Sequence, residues 1–318
     1  MKTVYVTIMM VTAMFMLLLP ITAGAKTETK VEGLLASGEN ITEEEKLSKV
    51  KVLMSDTKEI TEFSLEDYLF GVVAAEMPAL YEEDALKAQT VAAYTYFLRK
   101  KESNAQQDYD ITDDYTVDQA FVTPEEARKK WSDSAETYER KIRNAVLDVM
   151  YKKLTYDSKL AATVYHAISF GVTENASEVW GGQYPYLVSV DSSFDKLADN
   201  YLSTVNLTSE ELKTALSGKA EVKSLTENCV SDIKRTKAGS VKSVSISGVS
   251  VSGSDIRKAL ELRSSDFDVS FADGVYTFTV RGYGHFIGMS QNGANYMAKQ
   301  GKNWQEILLH YYPGCKIE

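Results

Sequence analysis

SLEDYLFGVVAAEMP, Ser64 to Pro78, is the stretch on which the fold of this chain turns. It has the parts of one amphipathic helix. Ser64 suits an N-cap, Glu66 and Asp67 put negative charge in the first turn, and Pro78 cannot continue the helix. Leu65, Tyr68, Leu69, Val72 and Val73 recur at helical spacing as a buried stripe. Glu76 follows Leu65 by about three turns, so it points along the middle of that stripe, whereas Glu66 and Asp67 point toward water. A carboxyl on a buried face loses hydration, and its pKa rises. It can then act as a general acid near neutral pH. The same position also suits a paired structural carboxylate.

The chain restarts at once with EEDALKAQTVAAYTYFLRKK, Glu82 to Lys101, acidic in its first turn and basic in its last. Ala85, Ala88, Ala92, Ala93 and Tyr96 form a face of mostly small residues, and Gln89 lies inside it. Helices joined by a few residues pack as antiparallel neighbours, which predicts Gln89 near Glu76. Its amide would be satisfied there by a sugar, by Glu76 or by backbone.

Composition narrows the partners. With 318 residues, 44% of them hydrophobic, the chain can bury one large core or two small ones. A formal charge of -10 argues against binding nucleic acid through its phosphates. Three histidines and two cysteines leave little material for a metal site, so no metal and no cofactor are expected. An uncharged or cationic surface fits the charge, and glycan is one such surface.

The two helices are followed by VTENASEVWGG, ALELRSSDF and GYGHFIGMSQNGANYMAKQGKNWQEILLHYYPG. Together, from about Ser48 to the C-terminus, these resemble the stage II sporulation protein D family of peptidoglycan-cutting proteins. The resemblance implies that Glu76 is the catalytic acid of a lytic transglycosylase. In that reaction the C6 hydroxyl of N-acetylmuramic acid attacks its own anomeric carbon, so neither water nor a second carboxylate is needed. It further implies glycan strands stripped of stem peptides as substrate, during engulfment in a spore-forming bacterium. An amidase like stage II sporulation protein P and a membrane protein like stage II sporulation protein M are the implied partners. Two rival readings stand beside it. One is a wall-binding activator of an amidase that cuts nothing. The other is a hydrolase whose second carboxylate is Asp113, Asp114 or Glu174.

In chain order, Lys2, the apolar run Val4 to Leu19 and Ala23-Gly24-Ala25 form a secretory signal or an uncleaved anchor over residues 1–25. Either places the rest outside the cytoplasm. Residues 26–47 read as a polar tether, and 48–318 as the catalytic domain. Val50–Met54 and Ile60–Phe63 predict a hairpin, residues 108–119 a loop, Thr123-Pro124 a helix start, and 138–152 a helix. LTYDSKLAATVYHAIS reads as a second hairpin with His166 at the end of its second strand, either lining a cleft or satisfied in the core. In some members of the resembled family this region binds zinc, but no cysteine lies near His166 in this sequence.

Residues 198–271 read as a smaller α+β insert. In it Arg263 suits a surface ion pair, stacking on a sugar, or binding a carboxylate. Cys229 and Cys315 are candidates for one disulfide in an exported protein. The strand VYTFTVR then feeds a glycine-rich loop that presents His285, Ser290 and Gln291 to a ligand, with Ser290 also able to cap the next helix. Substrate contact by His285 rests on the resemblance. Tyr94 stands where the family commonly has arginine, Phe286-Ile287 replaces Gly-Val, and Ala167 and Phe170 replace small polar or glycine residues. The expected class is α+β: a helical pair carrying Glu76 against mixed sheet, with Gln89, Tyr94, His166, His285, Ser290 and Gln291 contacting substrate.

Overall fold

In the computed structural model, which describes residues 49–219 and 229–318, the first hairpin forms as its alternation predicts. Strand β1 (Lys49–Leu53) pairs antiparallel with β2 (Ile60–Ser64). The region read as loop contributes a two-residue strand, β3 (Ile111–Thr112), parallel to β1. The signal or anchor and the tether lie outside the described residues. No helix among the described residues is long and apolar enough to cross a membrane.

Helix α1 (Leu65–Glu76) starts where Ser64 accepts the Asp67 N–H. It is buried on nearly every side rather than along one stripe, because α2 (Glu83–Ser103), α3 (Pro124–Trp131) and α4 (Ala135–Val149) all pack on it. Leu65, Leu69, Phe70, Val72 and Val73 are each 0–1% exposed. Each such side chain contributes about 1.5–3 kcal/mol, so the helix can carry one desolvated carboxyl at its end. Glu66 and Asp67 are half-exposed and are held by Arg143 of α4, at 2.6 and 2.8 Å. Thr123 and Glu126 form the capping box that starts α3, with Pro124 in the first turn.

The second hairpin turns at Asp157-Ser158, both at positive φ, between β4 (Leu154–Tyr156) and β5 (Lys159–Leu160). It ends sooner than the sequence suggests. His166 is not on it: Tyr165–His166 form a separate strand, β6, which runs parallel to Met289–Ser290. After the short helix α5 (Ala176–Val179), β7 (Leu202–Thr208) leads to α6 (Ser209–Ala215) and then to β8 (Val230–Arg235), β9 (Val241–Ile246) and β10 (Val249–Ser252). Helix α7 (Gly253–Ala259) and strands β11 (Phe267–Ala272) and β12 (Val275–Arg281) complete a second hydrophobic cluster. Its sheets are ordered β10-β9-β8 and β11-β12-β7. Tyr276, Phe278 and Val280 alternate inward along β12, as the VYTFTVR pattern requires.

Strand β13 (Met289–Ser290), α8 (Gln291–Lys299), α9 (Trp304–Tyr311) and β14 (Lys316–Ile317) return to the first core, where β14 pairs with β4. The molecule is α+β throughout. Cys229 and Cys315, the two candidates for a disulfide, are both free thiols, Cys315 in the first core and Cys229 beside the second.

Candidate active site

Glu76 is the last residue of α1, where the helix stops and the carboxylate reaches a cavity of about 290 Å³. Asp118, Gln119, Tyr165 and His285 line the same cavity, with Tyr115 exposed at its rim. Three donors face the Glu76 carboxyl. Ala120 N–H lies 3.0 Å from Oε1, the Gln291 amide 3.2 Å from Oε2, and the Tyr165 hydroxyl 3.5 Å from Oε1. Burial nonetheless pushes the Glu76 pKa above its ordinary value, against all three donors, which favour the charged form.

The site is assembled from distant parts of the chain by two close approaches. Gly71 in α1 allows residues 121–122 to lie against the helix, since a Cβ there would stand 2.3 Å from the Val122 carbonyl oxygen. That contact brings Ala120 N–H to Glu76. Gly288, at φ +73°, lets β13 run beside β6; a Cβ there would meet the Val164 carbonyl oxygen at 2.0 Å. The β6–β13 register then sets Tyr165 and Gln291 on either side of the carboxylate. Ser290 caps α8 by accepting the Gly293 N–H at 3.2 Å, which fixes the direction in which Gln291 leaves the strand.

Both histidines near the loop are held neutral. His166 donates from Nδ1 to the Ile287 carbonyl at 3.3 Å, and its buried Nε2 has no partner. His285 accepts the Ile287 N–H on Nδ1 at 3.1 Å. Burial pushes each pKa down to about 3, and the nearby Arg257 charge acts in the same direction. Their rings lie 5.8 Å apart, and His285 also meets the Trp180 ring at 5.1 Å.

Of the residues expected to contact substrate, His285 and Gln291 reach the cavity with Glu76. The others do not. Gln89 is 0% exposed, and neither atom of its amide has a hydrogen-bond partner, so the anticipated contact with Glu76 is not made. Tyr94 is buried against Phe97 and Tyr151 and lines a separate cavity of about 750 Å³. Ser290 is buried and used as a cap, and His166 is buried behind His285. Phe286 and Ile287 are fully buried core residues rather than cleft wall. Phe286 keeps a positive φ of 69° at the place where the resemblance has glycine. Its ring packs 4.8 Å from Phe170, the other bulky replacement.

The carboxylates considered for a second catalytic role are also engaged elsewhere. Asp113 accepts the Ser55 N–H, Asp114 closes its own turn on Thr116, and buried Glu174 accepts the Thr236 and Ser240 hydroxyls at 2.6 Å. The carboxylate that does share the cavity is Asp118, which the sequence reading missed inside an acidic loop. It is bound to Lys100 at 2.5 Å, to the Tyr96 hydroxyl at 3.2 Å and to the Thr112 N–H at 3.1 Å. Gln119 and Tyr165 were missed too. The single Tyr165 hydroxyl proton is shared between Glu76 and Gln119 Oε1, the latter at 3.0 Å, and Gln119 donates to the Tyr68 hydroxyl at 2.6 Å. Adjacency to His166 was the one available signal for Tyr165. A second depression of about 260 Å³ shares Tyr96 and Val164 with the first and carries Trp180 and Tyr184. Among the described residues, no group of three or more His, Cys, Asp or Glu side chains is arranged to hold a metal ion.

A family model described as "Stage II sporulation protein" matches residues 54–156. Stage II sporulation protein D of Bacillus subtilis (strain 168) is 36% identical over 271 residues, 84% of this chain and 78% of that protein. Its namesake in Bacillus amyloliquefaciens is 36% identical over 275 residues, with the same coverage. An amidase enhancer of Bacillus subtilis (strain 168) is 28% identical over 300 residues, 78% of this chain and 40% of that protein.

Proposed function

From the premise that this chain belongs to the stage II sporulation protein D family, we propose that it is a lytic transglycosylase acting on peptidoglycan glycan strands outside the cytoplasm. The observation that carries this reading is the state of Glu76. Its carboxyl is desolvated, faces a cavity, and is surrounded by donors that can receive it once it is charged. The other carboxylate on the cavity wall, Asp118, is occupied by a lysine, a phenol and a backbone amide.

Such a site suits one group used twice. Protonated Glu76 donates to the glycosidic oxygen as the bond to the anomeric carbon breaks, and the aglycone leaves as an alcohol. The Ala120 N–H and Gln291 amide then stabilise the carboxylate. Glu76 next takes the C6 hydroxyl proton as that oxygen bonds to the anomeric carbon. The 1,6-anhydro ring closes, Glu76 is protonated again, and no water is consumed. The adjoining depression, with Trp180 and Tyr184, gives an elongated strand two rings to lie on.

Strands whose stem peptides an amidase has removed are the proposed substrate. A partner amidase like stage II sporulation protein P and a membrane protein like stage II sporulation protein M fit that division of work. Mass spectrometry of products from purified denuded glycan tests the proposal: wild type releases anhydro-muramyl ends and Glu76→Gln releases none. Full release by Glu76→Gln refutes the mechanism. The similarity to an amidase enhancer supports a second reading, a wall-bound activator, whose signature is amidase stimulation that survives Glu76→Gln.

A further inference from the structure

Two arginines beside the glycine-rich loop have no acidic partner among the described residues. The other two arginines of this cluster show what pairing there looks like: Arg235 and Arg281 are both bound to Asp266 and Asp268, at 2.6–2.8 Å. Arg257 and Arg263 form no ion pair among the described residues. Arg257 makes one long contact, from Nε to the Leu262 carbonyl at 3.4 Å. Arg263 donates to the Asn200 carbonyl at 2.8 Å and lies over the Tyr283 ring at 4.5 Å. Both guanidiniums are partly desolvated, which disfavours their charged form until an anion arrives. The two acids of the VTENASEVW segment are engaged with other groups: Glu178 faces Lys237 and Lys242 at 3.9 Å, and Glu174 accepts the Thr236 and Ser240 hydroxyls.

Their place in the fold connects them to the cavity. The Gly284 N–H donates to the Arg263 carbonyl at 3.0 Å, and Ser264 bridges Gly284 in parallel. Arg263 is thus joined to the loop one residue before His285, whose side chain lines the Glu76 cavity. Tyr283 is at most about 7.6 Å from His285 along the backbone. Trp180, whose ring meets His285 at 5.1 Å, and Tyr283, two residues before His285, are 50% and 47% exposed. A strand that left the cavity past His285 on this side would meet the Trp180 ring and the Arg263–Tyr283 pair, with Arg257 behind, on a chain whose net charge is -10.

We propose that Arg257 and Arg263, with the Tyr283 and Trp180 rings, form a subsite for the free lactyl carboxylate of a muramic acid neighbouring the one that is cleaved. This rests on the glycan reading above and explains how a strand without stem peptides is told from one that bears them. Removing the peptide turns a neutral amide into a carboxylate, the group a guanidinium binds best. A charge-assisted contact at a partly exposed site gives about tenfold in affinity, and salt weakens it.

The test measures binding to the full-length Glu76→Gln protein, which does not consume the ligand. The ligands are denuded glycan strands and the same strands with their lactyl carboxylates converted to methylamides. The carboxylate strands should bind about tenfold more tightly, with the preference lost at high salt. Arg257→Gln and Arg263→Gln should each bring carboxylate strands toward the methylamide level while leaving methylamide binding unchanged. Equal affinity for both strands overturns the subsite and leaves the glycan reading standing. Arginine variants that weaken both strands alike overturn it too, because lost packing then explains the effect. Failure of both strands to bind refutes the glycan reading itself, and the subsite falls with it.

Discussion

Gly71→Ala separates the ordinary behaviour of a helix from the demands of this site. In an unobstructed helix interior, replacing glycine by alanine gains about 1 kcal/mol. Here the added Cβ would stand 2.3 Å from the Val122 carbonyl oxygen and 2.4 Å from Phe121 Cε2, so the segment has to retreat by about 0.7 Å to reach 3.0 Å. The obstructing oxygen is backbone and cannot rotate away. Overpacking of this kind costs about 1–3 kcal/mol, which leaves a net loss of about 1 kcal/mol. The same retreat carries Ala120 N–H away from Glu76 Oε1, now 3.0 Å distant, and beyond useful hydrogen-bonding range. Losing one hydrogen bond to a charged group, at about 1.5 kcal/mol, lowers the rate of anhydro-sugar release about tenfold. Urea unfolding followed by circular dichroism gives the stability, and timed product release gives the rate. A Gly71→Ala protein more stable than wild type by about 1 kcal/mol, with unchanged turnover, refutes the packing argument.

Asp118→Asn should slow cleavage severalfold, because Lys100 loses its partner, yet leave the products as 1,6-anhydro ends. Products with ordinary reducing ends in the wild type, lost together with Asp118, would instead make Asp118 a second catalytic carboxylate. Stability against pH carries two opposite signs. His166 and His285 are depressed to about 3, so the unfolded chain binds more protons than the folded one between about 6.5 and 3, and acid unfolds the protein through that window. Glu76 is raised, so its contribution is full in acid and lost as pH climbs through its folded pKa. Glu76→Gln should therefore be relatively more stable at neutral pH than at pH 4; the reverse ordering in urea titrations would contradict a desolvated Glu76.

The local elements were legible because local rules govern them. Ser64 as a cap, Thr123-Pro124 as a helix start, the turn at Asp157-Ser158 and the inward alternation of VYTFTVR depend on neighbours a few residues away. The inward placement of Glu76 followed from helical periodicity in the same way. The sequence could not reveal that α1 would be enclosed on nearly every side, because three other helices do the enclosing. Nor could it show which polar residues share the cavity: Asp118 and Gln119 sit in what reads as an ordinary acidic loop. Gln89 shows the same limit: it is fully buried and makes no contact with Glu76. Helix spacing shows that a side chain faces inward, but only the neighbouring element determines whether a groove or a core lies there.

What the sequence determined by itself was the long helices, the longer strands and the inward-facing carboxyl of Glu76, since backbone preference and hydrophobic period act over a few residues. What tertiary structure alone decided was the company that carboxyl keeps. Gln291 lies 215 positions away and arrives only through the pairing of β6 with β13, and Ala120 arrives only because residue 71 lacks a side chain. Contacts across such separations depend on how whole elements dock, and no local pattern encodes them.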